Sequence, residues 1–166
     1  NFRTTTAGVA LALNNSPGDT LKNALAPLEN AIDVIILDTA PTVTELMVNI
    51  FTAANYALIP TETRVLSVNG VIKTMDRIEA VMDQLSLRVI GIQPTKHTGR
   101  QVECQENLKT LIGLYGELVW PPVNERAAWS EAPAYGKSIF AYAPSHHKAV
   151  REASVFVSNC REAVQL

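Results

Sequence analysis

The residues with the clearest chemical potential lie in the stretch 33–41, which reads DVIILDTAP. Four apolar residues lead directly into Asp38, and a proline follows three residues later. A carboxylate at the end of a parallel strand lies where open α/β sheets bind ligands, and its oxygens can hold the water shell of Mg²⁺ beside a phosphate. The alternative is an acid that only caps the following loop. The stretch alone leaves both interpretations open.

The elements that must position Asp38 follow from the pattern of the rest of the chain. Short apolar runs predict buried strands at 34–37, 56–59, 89–92 and, more weakly, 118–120. Apolar residues at helical spacing predict helices at 21–28, 65–85, 108–115 and 150–164. This alternation is typical of an α/β fold in which helices cover both faces of a parallel sheet.

Composition limits the possible classes of protein. The 166 residues are 47% hydrophobic and carry a formal charge of −2, so they suit one core and exclude a global attraction to nucleic acid. Cys104 and Cys160 lie far apart and form no CxxC pair, which favours reduced thiols over a disulfide framework or a metal site. The longest uncharged stretch, 46–61, is too short to span a membrane, and the N-terminus has no signal-peptide pattern, so we expect a cytoplasmic protein.

Several further blocks occur in a fixed order after Asp38. They are DTAP at 38–41, LIPTE at 58–62, SVNG at 67–70, SEAPAYGKSI at 130–139 and YAPS at 142–145. Taken together, the series resembles the C-terminal part of the ParA-like partition ATPases of plasmids and chromosomes, whose relatives include MinD. The SEAPAYGK block is the most specific part of this resemblance. By itself, SEAP at 130–133 reads as a capped turn, with Ser130 and Glu131 bonding backbone N–H groups.

The resemblance does not include the glycine-rich loop KGGxGKT that binds phosphates in this family. Residues 3–7, RTTTA, are similar to the end of that loop, but Phe2 stands where a glycine is required. The first residues match better the "PGN..T" turn that precedes the acidic strand. We therefore expect residues 1–166 to be a single incomplete ParA-like domain, running from the Walker B strand to the C-terminal helix. Such a chain alone should not hydrolyse ATP, and its exposed sheet edge should favour self-association.

The resemblance also implies a nucleotide site. Asp38 would be the catalytic acid that holds Mg²⁺ through water, while Thr39 and Pro41 would shape the loop opposite the γ-phosphate. Thr95, Pro122 and Asn124 resemble positions in the two loops that hold the adenine. The alternative for the proline pair at 121–122 is a simple stop signal after a strand.

Non-specific DNA binding is a further implication of the resemblance. Arg100 matches one family arginine, and Arg126 lies two residues from the position of a second. Lys96 and Lys137 could complete a patch. The alternative is a solvated charged surface, because three glutamates at 103, 106 and 125 lie close in sequence.

The intact protein is thus expected to bind ATP and Mg²⁺, to form a homodimer on DNA in the nucleoid, and to respond to a ParB-like centromere-binding partner. The alternative is a nucleotide-independent module that binds DNA or protein on a ParA-like scaffold. The final helix is expected to pack on the core, although a membrane-surface helix like that of MinD is the other interpretation.

Overall fold

A computed structural model describes residues 19–28, 30–39, 45–82 and 85–165 of the chain. The elements, in order, are helix α1 (Thr20–Leu25), helix α2 (Glu45–Ala53), strand β1 (Tyr56–Glu62), helix α3 (Val65–Met82), strand β2 (Arg88–Thr95), helix α4 (Val102–Tyr115), helix α5 (Ala128–Ala134), helix α6 (Ile139–Tyr142) and helix α7 (Lys148–Val164). Single 3₁₀ turns occupy Ala26–Leu28 and Gly116–Leu118. Among the described helices, none combines the length and apolar character needed to cross a membrane.

The chain divides into two compact units, one formed by residues 1–56 and 80–88 and the other by 57–79 and 89–166. In the first unit, α1 packs against α2, and the Leu21 amide donates to Oδ1 of the fully buried Asn49 over 3.4 Å. The predicted helix at 21–28 is confirmed as α1 with its 3₁₀ turn, while α2 was not predicted.

The predicted strand at 34–37 is wrong, since residues 34–39 belong to no helix or strand. An apolar run becomes a strand only when a neighbouring strand supplies hydrogen bonds, and no described residue pairs with this run. Its side chains are correspondingly exposed, with Ile36 88% accessible and Val34 50%.

The second unit contains the parallel sheet that the sequence predicts. Strands β1 and β2 are hydrogen-bonded neighbours joined by α3, and the Thr95 hydroxyl donates to the Thr61 carbonyl over 3.1 Å at the strand ends. Helix α3 buries Val68, Val71, Met75 and Ile78, which are members of the predicted apolar stripe. The α/β class is thereby confirmed.

A chain segment after α4 extends the sheet beyond β2. Val119 pairs in parallel with Ile92, and Asn124 with His97. The predicted strand at 118–120 is therefore reduced to one bridge, because Gly116–Leu118 forms a 3₁₀ turn. Gly116 ends α4 with φ of +55°, a backbone conformation that glycine adopts without steric cost.

The C-terminal helices share a small core of their own. Buried Ala128 and Ala132 of α5 and Ile139 of α6 form one cluster with Ala149, Val150 and Ala153 of α7. Ser130 and Glu131 fall inside α5 rather than in a capped turn, since the Ser130 hydroxyl donates to the Ala127 carbonyl and Glu131 accepts from the Tyr142 hydroxyl. The predicted core packing of the final helix is confirmed for its first two turns.

Gly91 of β2 lies directly against the Trp120 indole. A Cβ at position 91 would lie 2.6 Å from Cζ2 and Nε1 of the Trp120 indole, which is only 8% exposed and packs edge-on to Phe156 at 6.0 Å. Position 91 therefore accepts no side chain without displacing the indole.

Gly91→Ala should lower the free energy of unfolding by about 1–3 kcal/mol, because the added methyl overpacks the site. Gly113→Ala on α4 is the control, since nothing lies within 4 Å of a Cβ there. That control should be stabilised by up to about 1 kcal/mol, because alanine has the higher helix propensity. Urea denaturation of both variants measures the difference, and equal stabilities would contradict the packing of Trp120 on Gly91.

Candidate functional site

The carboxyl end of β2 brings several predicted site residues to one edge of the sheet. Thr95 is the last residue of β2, and Lys96 follows it with φ of +48°, a left-handed conformation that turns the chain sharply. The Lys96 ammonium contacts Glu62 Oε1 at 2.6 Å, which links the ends of β1 and β2. Both charged side chains remain well exposed.

Prolines interrupt the pairing of β2 with the segment that follows α4. The Trp120 amide donates to the Ile92 carbonyl over 2.9 Å, but the next ladder bonds cannot form because Pro94 and Pro122 have no N–H. Instead, the Val123 amide reaches the Pro94 carbonyl over 2.9 Å. The buried Gln93 side chain donates from Nε2 to the carbonyls of Pro94 (2.8 Å) and Pro121 (2.9 Å). The Gln93 side-chain amide thus donates hydrogen bonds at the point where the prolines have no backbone N–H.

His97 restores the ladder beyond the prolines. Its amide donates to the Val123 carbonyl over 3.1 Å, and its carbonyl accepts from the Glu125 amide over 3.0 Å. The residue is 7% exposed, and its Nδ1 lies 3.2 Å from the Thr63 hydroxyl. The Thr63 carbonyl in turn accepts from Asn107 Nδ2 over 3.2 Å. Sequence reasoning gave His97 no role, and its position just beyond an apolar strand was the only available signal.

Helix α7 fixes the same segment from its other side through Glu152. The Glu152 carboxylate accepts from Nδ2 of Asn124 (2.9 Å) and from the Asn124 amide (3.2 Å). The guanidinium of Arg126 reaches Glu152 Oε1 with Nη2 at 2.5 Å, while its Nε lies 3.2 Å from both oxygens. One carboxylate therefore holds two predicted site residues, a contact that the sequence did not predict.

These contacts shift the ionisation of the side chains involved. Burial raises the pKa of the Glu152 carboxyl. Hydrogen bonds from Arg126 and Asn124 together lower this pKa by more than burial raises it, so it lies below the usual 4.5. The hydrogen bond to Glu152 raises the pKa of Arg126 above its usual range. The hydrogen bond and charge of Glu62 likewise raise the pKa of Lys96.

The remaining predicted residues are distributed as follows. Pro122 lies within the interrupted ladder, and Arg100 is exposed in the turn before α4. Lys137 is exposed between α5 and α6. Asp38 and Thr39 are both exposed and belong to the first compact unit, while Pro41 lies outside the described residues.

Comparison with known proteins is consistent with this geometry. A family model described as an AAA domain matches residues 3–90, more than half of the chain. The chain is 29% identical over 141 residues to the chromosome-partitioning ATPase Soj of Thermus thermophilus, covering 83% of this chain and 55% of Soj. It thus spans about half the length of that curated relative.

Two solved structures share the fold. An ATP complex of Cyanothece McdA superposes with a TM-score of 0.83 at 20% identity, covering 98% of this chain and 63% of McdA. Cobyrinic acid a,c-diamide synthase from Mycobacterium smegmatis, with an ATP analogue and magnesium bound, has a TM-score of 0.67 at 27% identity, covering 76% of this chain and 53% of the synthase.

The Glu152 carboxylate generates a pH-dependent contribution to stability. Because its pKa is lower in the folded chain, the contribution is complete above pH 4.5 and is lost as the pH falls through the folded-state pKa. Glu152→Gln should cost about 2 kcal/mol of unfolding free energy at pH 7, and the difference from the parent should shrink in acid. Urea denaturation at a series of pH values measures it. Glu162→Gln, at an exposed position of α7, is the matched control and should change stability little at any pH.

Proposed function

This chain is a member of the AAA domain family, among its ParA/MinD-like partition ATPases, and from that premise we propose that it forms part of a Mg²⁺-dependent ATPase for plasmid or chromosome partition. The observation that carries the proposal is the family match over residues 3–90, a range that includes Asp38. In the intact protein, ATP binding drives homodimerisation, the dimer binds DNA non-specifically, and a ParB-like protein stimulates hydrolysis. We place this activity in the cytoplasm, on the nucleoid.

The residues of the proposed nucleotide site are assigned one by one from the family resemblance. The exposed carboxylate of Asp38 suits the water shell of Mg²⁺, because this ion prefers oxygen ligands and keeps several waters. Thr39 and Pro41 would shape the loop beside the γ-phosphate. Thr95, Pro122 and Asn124 would line the adenine, and the ladder through His97 supports this by holding residues 95 and 124 at one sheet edge.

Hydrolysis of ATP requires positive charge placed against the phosphates. Phosphoryl transfer depends mainly on positioning and on neutralising the phosphate charge. The sequence carries no glycine-rich lysine loop, so we propose that the chain by itself does not hydrolyse ATP. The activity belongs to a protein in which such a loop accompanies this chain.

Asp38→Asn tests the enzymatic part of the proposal. In the protein encoded by the complete reading frame, the substitution should lower the ATPase kcat by about 100-fold, because it removes the carboxylate proposed to hold the hydrated metal. Asp33→Asn, an equally exposed acid at the start of the same segment, is the control and should retain activity. Steady-state phosphate release with DNA and the partner protein present provides the measurement. Equal activities of the two variants would remove Asp38 from the mechanism.

A second candidate is a nucleotide-independent DNA-binding module on the same scaffold. The observation that favours it is Arg100, which is exposed and makes no ion pair within the described part of the chain. This module would bind DNA equally with and without ATP, and salt would weaken the binding.

Arg100→Gln should weaken binding to a random-sequence duplex and reduce the slope of log K against log salt by about one, since one phosphate contact is lost. Arg77→Gln removes the same charge from an exposed position of α3 and should leave the slope unchanged. Fluorescence anisotropy over a salt series, with and without ATP, measures both effects. A slope that is the same for both variants would place the DNA contact elsewhere.

A further inference from the structure

Two cations of the predicted DNA-contacting set are already engaged by carboxylates. Lys96 is paired with Glu62 on the exposed surface, and Arg126 is paired with Glu152 in a more enclosed position. The Arg126 and Glu152 side chains are 27% and 18% exposed, so the pair lies at the surface but is shielded from water. The charge of Arg126 is therefore locally neutralised in this structure.

The groups around the Glu152 carboxylate form the kind of donor set that binds a phosphate. The Arg126 guanidinium offers two N–H groups, while Asn124 offers its side-chain amide and its backbone N–H. Planar guanidinium forks and converging amides bind carboxylate and phosphate oxygens in the same way. Glu152 thus occupies a site that suits a phosphate oxygen equally well.

The donor set around Glu152 also lies beside a loop that carries a second arginine, as the binding of a polyanion such as DNA requires. The loop carrying Arg100 runs beside the segment carrying Arg126, because His97 pairs with Val123 and Glu125. The Thr98 hydroxyl adds a contact to Glu125 Oε2 at 3.2 Å between the same two segments. The exposed Arg100 and the engaged Arg126 therefore lie on adjacent loops of one unit.

We propose that the Arg126 guanidinium is a site for a backbone phosphate of nucleic acid, which Glu152 occupies in the free protein and thereby masks. DNA opens the site by displacing the Glu152 side chain from Arg126 while Arg100 provides an unmasked first contact. Glu62 masks Lys96 in the same manner but more weakly, since solvent screens an exposed pair. This inference rests on the DNA binding proposed above and adds its regulation by Glu152.

The test compares three charge-matched variants in duplex binding. Glu152→Gln, Glu62→Gln and Glu162→Gln each remove one negative charge, so the change in net charge is the same for all three. Glu152→Gln should bind a random-sequence duplex about fivefold more tightly than the parent at low salt, with a salt slope about one larger, because one phosphate contact is gained. Glu62→Gln should gain about twofold, and Glu162→Gln should gain less than either.

The double variant Arg126→Gln/Glu152→Gln identifies the cation responsible. It should lose the gain of Glu152→Gln and return to the affinity and slope of the parent. Thermal denaturation establishes that each variant is folded before it is used. If Glu152→Gln does not fold, Glu152→Asp takes its place. Its shorter side chain keeps the negative charge but loosens the contact with Arg126, so tighter duplex binding at unchanged net charge supports masking and unchanged binding overturns it.

The outcomes separate this inference from the function on which it rests. Equal gains in duplex affinity for the three single variants would overturn masking. The hydrogen bonds of Glu152 would then only stabilise the fold, while DNA binding by the parent would still stand. A gain that persists in the double variant would overturn the role of Arg126. Absence of DNA binding in the parent and in every variant would overturn both the proposed DNA binding and its regulation.

Discussion

The pairing between β2 and the segment after α4 is the constraint on which the second compact unit depends. A parallel ladder normally renews its hydrogen bonds at every second residue, but Pro94 and Pro122 remove two donors in succession. The register is nevertheless the same at the bridges on either side of the prolines. It is preserved because Gln93 donates to the unpaired carbonyl of Pro121 and because His97 continues the backbone pairing.

This repaired ladder determines where the candidate site residues lie. At its end, His97 contacts the Thr63 hydroxyl, Lys96 makes a left-handed turn, and the Thr95 hydroxyl donates to β1. On the other side, Glu152 of α7 accepts hydrogen bonds from Asn124, which precedes α5. Alanines of α5 and α7, including Ala132 and Ala149, belong to one buried cluster. The alanine cluster and the Glu152 hydrogen bonds thus both tie α7 to the segment that follows the sheet.

Hydrophobic periodicity correctly predicted those helices and strands whose own apolar residues form a continuous buried face. Helix α3 and strand β2 were predicted because their apolar faces recur at the spacing that burial requires. The run at 34–37 has equally suitable residues, yet strand formation depends on a neighbour that the run itself does not encode. The tie from Glu152 to Asn124 was unpredictable for a similar reason, since it joins residues 28 positions apart whose spacing carries no periodic signal.

The acids that lie near the predicted cations in sequence are not the acids that contact them in the structure. Dilution of the cationic patch was expected from Glu103, Glu106 and Glu125, which are near Arg100 and Arg126 in sequence. In the structure Glu103 pairs with Arg64 at 3.7 Å, and the acids that engage the predicted cations are Glu62 and Glu152. Since a carboxylate neutralises the cation it touches far more than one a Debye length away, these direct ion pairs weigh most in the local potential. The available positive charge of this edge therefore depends on two specific ion pairs, and the net charge of −2 says little about it.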